Sequence, residues 1–203
     1  MKLRLISRII VISLVVLVGG FMLLRGLLAN SQGQTPLQGT NLGGTAAPDF
    51  ALIDQNGRQV SLASLRGHPV VLSFMDTHCP GDCAPATKQR TVMQALGSVA
   101  QDVHWVAVSI NPAGDTPAAA QNFVRQYQLV GMRYLLGNET QLAHVWRAYA
   151  VAVDSPGSTA TAGGASGAQL GGLYVIDDEG RERVYLDSNF APSMLEGDLR
   201  ALL

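Results

Sequence analysis

The chain contains two cysteines, Cys79 and Cys83, in the motif Cys-Pro-Gly-Asp-Cys. The intervening residues include Pro80 and Gly81, which favour a tight turn, so the two sulfur atoms can come within disulfide-bonding distance. Two thiolates close together can also hold a soft cation, and sulfur ligands select Cu(I). A structural zinc site would need four protein ligands, and the chain has no second cysteine pair. The motif therefore predicts dithiol–disulfide exchange, Cu(I) binding, or both, and a purely structural disulfide remains the alternative.

The cysteine motif lies between a predicted strand and a predicted helix. Residues 69–75 are apolar and rich in β-branched side chains, which is typical of a central strand buried on both faces. Residues 86–100 carry apolar side chains at helical spacing. Ligands bind at the carboxyl ends of strands in open α/β sheets. The start of a helix also lowers the pKa of a thiol, because unpaired N–H groups stabilise the thiolate. We therefore expect at least one of the two thiols to be reactive.

The sequence after residue 46 alternates predicted strands and helices. Asn56-Gly57 is a strong hairpin turn signal, and Pro117 and Asn138 are typical of helix starts. This order predicts an α/β fold of the thioredoxin-like type, with a mixed central sheet and helices on both faces. The predicted strands span residues 50–53, 59–62, 69–75, 103–110, 132–136, 173–176 and 183–186, and helices follow the cysteine motif, Thr116, Asn138 and Ala191.

The N-terminal segment predicts membrane attachment. Residues 9–24 are uncharged and apolar, and although the run is shorter than the roughly 20 residues that span a bilayer, Arg8 and Arg25 can extend it by reaching the interface. The sequence around Ala29 is a poor match to a signal peptidase site, which favours an uncleaved anchor over a cleaved signal peptide. Basic residues before the run predict a cytoplasmic N-terminus. We therefore expect a single-pass protein of the cell membrane whose C-terminal domain is extracytoplasmic.

Three segments are predicted from composition. Residues 1–29 form the anchor or signal segment. Residues 30–46 are rich in Gly, Gln, Thr and Asn, so they bury too little apolar surface to offset the entropy of ordering and are predicted to be a flexible linker. Residues 47–203 are long enough for one domain with a full core. Within that domain, residues 154–168 are almost entirely Gly, Ser, Ala and Thr, which predicts a mobile insertion.

The charge distribution excludes a generic nucleic-acid binder. All 15 acidic residues lie at or beyond Asp49, whereas four of the 14 basic residues lie at or before Arg25. The domain therefore has 10 basic against 15 acidic residues, a net charge of -5, and no clustered basic surface for a phosphate backbone. The sequence also lacks a phosphate-binding glycine loop and a nucleophilic serine elbow.

Several segments match a pattern known from one family: Pro-Asp-Phe at 48–50, the run Leu-Ser-Phe-Met-Asp-Thr-His-Cys-Pro-Gly-Asp-Cys at 72–83, Asn-Pro and Asp-Thr-Pro within 111–117, and Tyr-Val-Ile-Asp-Asp-Glu-Gly at 174–180. With the cysteine motif in this place, the chain resembles the Sco/SenC family of copper-handling, thioredoxin-like assembly factors for cytochrome oxidase. The resemblance covers the chain from about Pro48 onward. It implies that Cys79 and Cys83 carry Cu(I) toward an oxidase copper centre, exchange disulfides, or do both.

The third copper ligand of that family is missing from its usual position. In the family a histidine eight residues before the Asp of the closing hairpin completes the site, and counting back from Asp177 gives Gln169. Because a carboxamide is a poor Cu(I) ligand, a third ligand would come from His78, from His144 or from a partner protein. The absence leaves three alternatives open: a metallochaperone, a copper-independent thiol-disulfide oxidoreductase acting on a thiol client protein, and a redox-sensing domain. Asp76, at the end of the central strand, is either a proton acceptor in thiol chemistry or a carboxylate that caps its loop.

Overall fold

The computed structural model describes residues 37–79, 83–153 and 172–203. The predicted anchor, the predicted insertion at 154–168 and Gln169 lie outside the described residues. In the described ranges, no helix combines the length and the apolar character needed to cross a membrane.

The described residues form one sheet of eight strands and four α-helices. The elements are β1 (Thr40–Ala46), β2 (Ala51–Asp54), β3 (Gln59–Ser61), β4 (Val70–Met75), α1 (Ala84–Leu96), β5 (His104–Ser109), α2 (Pro117–Gln126), β6 (Arg133–Leu136), α3 (Glu139–Ala148), β7 (Leu173–Ile176), β8 (Arg181–Leu186) and α4 (Pro192–Leu202). The order of the strands in the sheet is β1-β8-β7-β4-β5-β6-β2-β3. Strands β4, β5 and β6 are parallel, and the other neighbouring pairs are antiparallel. The predicted mixed sheet is therefore confirmed.

The core has two layers, one on each face of the sheet. Every residue of β4 is buried, and its side chains alternate between the layers because successive residues of a strand point to opposite faces. Val71 and Met75 pack in the layer that α1, α2 and α4 cover. Leu72 and Phe74 pack in the layer that α3 and the opening hairpin cover. The prediction of a central strand with helices on both faces is thus confirmed.

The helix starts follow from local hydrogen bonds. The Thr116 hydroxyl accepts from the N–H of Ala119 at the start of α2. Asn138 and Gln141 form a reciprocal capping box at the start of α3, as their spacing predicts. Helix α1 is shorter than predicted, because Gly97 has a φ of 60° and the chain continues there as 3-10 turns.

The predicted linker boundary is wrong at its C-terminal end. Residues 40–46 form strand β1, which pairs with the edge strand β8. Before that strand, the N–H of Gln38 donates to Asp198 on α4 at 2.6 Å. The compact unit begins at Leu37 rather than at residue 47. Composition missed this strand because it is held by backbone hydrogen bonds to β8, which do not depend on large apolar side chains.

We predict that His104 makes the fold sensitive to acid. Partial burial, the charge of Arg133 and the nearby His68 lower the pKa of His104 to about 4. The unfolded chain binds this proton near pH 6.5, so stability is present above that value and is lost as the pH falls from about 6.5 to 4. Since the ring is partly exposed, we expect a loss of about 1 kcal/mol.

Urea unfolding of wild type and His104→Gln at pH 7.5, 6 and 4.5 measures this effect. The variant should lose less stability on acidification, whereas His144→Gln, at an exposed position, should follow wild type. Equal losses in wild type and His104→Gln would contradict the prediction.

Candidate functional site

Cys79 and Cys83 are joined by a disulfide, with their Cα atoms 5.5 Å apart. Cys83 is the N-cap residue of α1 and is 2% exposed. Cys79 is partly exposed and packs against the edge of the same core layer. The expected proximity of the two sulfurs is therefore present, and Cys79 is the more accessible of the two. Their roles in exchange and in metal binding stay predictions.

The ends of the parallel strands position residues 76–79, which we call the cysteine loop. Met75 pairs with Ser109 in the β4–β5 register, so the segment after β4 runs beside residues 110–116. The N–H of Ile110 donates to the Met75 carbonyl at 3.0 Å, and the N–H of Cys79 donates to the Asp76 carbonyl at 3.2 Å. The position of Cys79 is thus set by a turn that begins where the central strand ends.

Asp115 lies beneath this loop as a buried carboxylate, only 6% exposed. Its Oδ1 accepts from the backbone N–H and the hydroxyl of Thr77, at 2.9 and 2.6 Å. Its Oδ2 accepts from the hydroxyls of Ser109 and Tyr134, at 2.6 and 2.9 Å. Because Thr77, Ser109 and Tyr134 come from the ends of β4 and β5 and from β6, this one side chain ties the cysteine loop to two further strands.

Tyr134 keeps the proton that it offers to this carboxylate. Burial, followed by the charge and the hydrogen bond of Asp115, raises the pKa of Tyr134 well above its ordinary value. The phenol is therefore a permanent hydrogen-bond donor at physiological pH. Its oxygen also lies 2.8 Å from the Met75 carbonyl, which places it under the last residue of the central strand.

Asp76 stabilises the cysteine loop through hydrogen bonds of its carboxylate. Its Oδ1 accepts from the backbone N–H of His78 at 2.8 Å, and its Oδ2 accepts from the Asn111 amide at 3.2 Å. Burial acts to raise the pKa of Asp76, but these bonds and the His78 ring together hold that pKa below its ordinary value. A carboxylate with a lowered pKa is a weak proton acceptor. The structure therefore favours the loop-capping role over the catalytic one.

His78 is the histidine at the cysteine edge of the sheet. Its Nδ1 lies 3.2 Å from Asp76 Oδ1, and its side chain is 59% exposed. Donation from Nδ1–H to the carboxylate leaves Nε2 as the nitrogen that can bind a metal. Gly114 makes room for the ring, because a Cβ atom there would lie 2.9 Å from His78 Cε1.

The other three histidines lie elsewhere. His68 precedes β4 and His104 begins β5, so both are at the opposite end of the sheet and contact each other. His144 is exposed on α3, which packs on the face of the sheet opposite the cysteines. Of the two internal candidates for a third copper ligand, the geometry therefore favours His78 over His144.

Asp76, His78 and Asp115 bring one potential ligand atom each within 4.8 Å of one another. Both oxygens of Asp115 already accept two hydrogen bonds each. A cation on all three residues would have to displace some of these bonds. We therefore interpret these three residues as structural support for the cysteine loop rather than as a cation site.

Sequence reasoning missed Asp115, Ser109 and Tyr134 as members of the site. Tyr134 is fully buried in the core. The signal for Ser109 is its place near the carboxyl end of a predicted strand, where it pairs with the last residue of β4. Tyr134 pairs with Ala107 in the middle of β5, and its place in the sequence carries no such signal. Polar side chains at the carboxyl ends of adjacent parallel strands meet at one edge of a sheet.

The chain is similar to known proteins over most of its length. A SCO2-like protein of Rickettsia conorii is 33% identical over 148 residues, which cover 69% of each chain. The thiol-disulfide oxidoreductase ResA of Bacillus cereus is 29% identical over 128 residues, covering 63% of this chain and 67% of that protein. The structure of Bradyrhizobium japonicum ScoI with copper bound superposes with a TM-score of 0.63 at 28% identity, covering 78% of this chain and 100% of that one.

The similarity to solved Sco structures confirms the thioredoxin-like fold that the order of elements predicts. The model of the SCO1/SenC family matches residues 38–203, which begins with the segment before β1 and includes both cysteines and the Asp115 region. The chain therefore belongs to the SCO1/SenC family.

Proposed function

We propose that this chain is a membrane-tethered, extracytoplasmic Sco protein whose Cys79 and Cys83 alternate between dithiol and disulfide. In the dithiol state the pair carries Cu(I) toward the copper centre of an oxidase. The observation that carries the proposal is the disulfide between a partly exposed and a buried cysteine at the carboxyl edge of the sheet. Copper in the similar ScoI structure supports the choice of metal. A structure of another Sco protein, described as a member of a family of cytochrome c oxidase assembly proteins, supports the choice of partner.

The difference in burial assigns the two sulfurs different roles. The thiolate of a partner dithiol attacks Sγ of Cys79, which is the accessible sulfur, and the bond to Cys83 breaks. Cys83 then leaves as a thiolate at the start of α1, where the helix N-terminus stabilises negative charge. The second partner thiolate attacks the partner's own sulfur in the mixed disulfide and releases Cys79. The partner loses two electrons in total, and the pair gains them.

The reduced pair has the donor chemistry for Cu(I). Two thiolates on one short loop are soft ligands that hold this cation as cargo. His78 lies next to Cys79, and its Nδ1 is turned to Asp76, so Nε2 supplies a nitrogen donor in place of the family histidine. The carboxylate fixes the tautomer and the orientation of the ring, as carboxylates do for other metal-bound histidines.

Titration of the reduced full chain in a neutral detergent with Cu(I), against a competing chelator, tests the proposal. We expect tight uptake of about one Cu(I) per chain, because the chain has one thiol pair. Cys79→Ser and Cys83→Ser should each abolish tight uptake. His78→Asn should weaken binding by at least about 10-fold, and the matched variant His144→Asn should bind as wild type does.

Two results would contradict parts of this proposal. A chain that exchanges disulfides but takes up no Cu(I) would remove the copper role and leave the thiol-disulfide oxidoreductase, which the similarity to ResA favours as the second candidate. Equal affinities of His78→Asn and His144→Asn would remove His78 as the third ligand, and the thiolate pair would remain as the site.

The proposed location is tested by thiol labelling in intact cells. Cys79 and Cys83 are the chain's two cysteines, so a maleimide reports on the domain alone. After treatment with a membrane-impermeant phosphine reductant, an impermeant maleimide should label wild type and leave the Cys79→Ser/Cys83→Ser variant unlabelled. Labelling that requires cell lysis would place the domain in the cytoplasm and contradict the proposal.

The support of the cysteine loop by Asp115 is tested by a change of one atom. Asp115→Asn replaces an acceptor oxygen with an amide that faces hydroxyl and N–H donors. We expect the free energy of unfolding to fall by about 2 kcal/mol or more. Urea unfolding of the oxidised chain measures the change. Asp178→Asn, at an exposed position in the β7–β8 turn, should alter stability little, and equal effects of the two variants would contradict the supporting role.

A further inference from the structure

A groove lies at the end of the sheet opposite the cysteines. It has a volume of about 530 Å³ and lies between the second half of α1, the 3-10 turns that follow α1, and the loop from α2 to β6. Met93, Val103 and Trp105 give it an apolar floor. The indole N–H of Trp105 donates to the Ala100 carbonyl at 3.1 Å, so the ring offers the groove an apolar surface.

The charged side chains that line the groove are both cations. Arg90 enters from α1 and Arg133 from the start of β6, and no Asp or Glu lines this cavity among the described residues. The Nε of Arg90 is shielded from solvent and has no hydrogen-bond partner within the described ranges. Arg133 forms no ion pair there either. A guanidinium with a buried, unused donor is suited to a carboxylate or a phosphate, which can satisfy it.

The electrostatic surroundings of the groove also favour an anion. His104 also lines the cavity, and after partial burial the charges of Arg133 and His68 are the causes of its lowered pKa. The positive potential that opposes protonation of His104 also favours an anion at the same place.

One apolar side chain at the rim of the groove projects into solvent. Val130 is 84% exposed, the largest such exposure among the bulky apolar side chains of the described residues. The loop that carries it bends sharply, with positive φ values at Gln128 and Gly131. An exposed apolar side chain beside Arg90 and Arg133 suits a ligand that has both a charged head and an apolar body.

We propose that this groove binds a small amphiphilic anion, with its phosphate or carboxylate head on Arg90 and Arg133 and its apolar body against Met93, Trp105 and Val130. The site is separate from the cysteine pair, so it requires neither copper nor thiol exchange. The same head chemistry occurs in a soluble alkyl phosphate and in an anionic lipid.

Calorimetric titration of the full chain in a neutral detergent with hexyl phosphate tests the proposal. We expect saturable binding that is at least about 10-fold weaker in Arg90→Gln/Arg133→Gln, because the charged hydrogen bonds are lost while much of each side-chain stem remains. The matched variant Arg125→Gln/Arg147→Gln removes the same charge outside the groove and should bind as wild type does.

A second pair of variants tests the proposal without changing the arginines. Val130 is exposed, so Val130→Asp should fold normally and repel the anion, whereas Val130→Thr should change binding little. The proposal is overturned by equal binding to wild type and the Arg90→Gln/Arg133→Gln variant, by equal affinity for hexyltrimethylammonium, or by no binding of hexyl phosphate.

Competition distinguishes the two sources of the ligand. Nanodiscs that contain phosphatidylglycerol should displace hexyl phosphate if the groove takes a lipid head group, while phosphatidylcholine nanodiscs should not. Retention of hexyl phosphate in the presence of both kinds of disc would assign the groove to a soluble anion.

Discussion

The buried carboxylate of Asp115 is the constraint on which the cysteine site depends. It accepts hydrogen bonds from Thr77, Ser109 and Tyr134, which come from the ends of β4 and β5 and from β6. Parallel strands end side by side, but their backbone hydrogen bonds do not extend into the loops beyond them. The carboxylate supplies this missing connection, because two oxygens with four acceptor positions can join three separate segments at one point.

This connection lets the cysteine loop hold its shape by contacts that do not involve sulfur. Cys83 is fixed as the N-cap of α1, where the Thr87 N–H donates to its carbonyl at 2.9 Å. Cys79 is fixed by the turn from Asp76, which in turn is held by His78 and Asn111. These bonds involve no sulfur atom, so none of them requires the disulfide. A pair of thiolates held in place in this way would close a disulfide, or hold the proposed metal, with little further loss of conformational entropy.

The sequence predicts the elements that depend on local patterns and misses those that depend on pairing in three dimensions. The burial of β4, the capping box at Asn138 and the opening hairpin all follow from neighbouring residues, so they could be predicted. Strand β1 could not, because its Gly- and Thr-rich sequence becomes ordered through the free edge of β8. The role of Asp115 is a further case: its position before Thr116 and Pro117 indicates only a helix start. The hydrogen bonds that give it a structural role come from Ser109 and Tyr134, whose alignment is set by strand register.

The cysteine site and the groove lie at opposite ends of the sheet, which keeps the two proposed kinds of binding apart. Asp76, Asp115 and the exposed Asp187 lie at the cysteine edge, whereas Arg90 and Arg133 line the groove at the other end. A strand of six residues such as β4 spans about 20 Å, which is about twice the distance over which salt screens exposed charges. A cation attracted to the cysteines therefore experiences little repulsion from the arginines, and substitutions at one end should add to those at the other without coupling. The cysteine site and the groove share the core of the sheet rather than a direct contact.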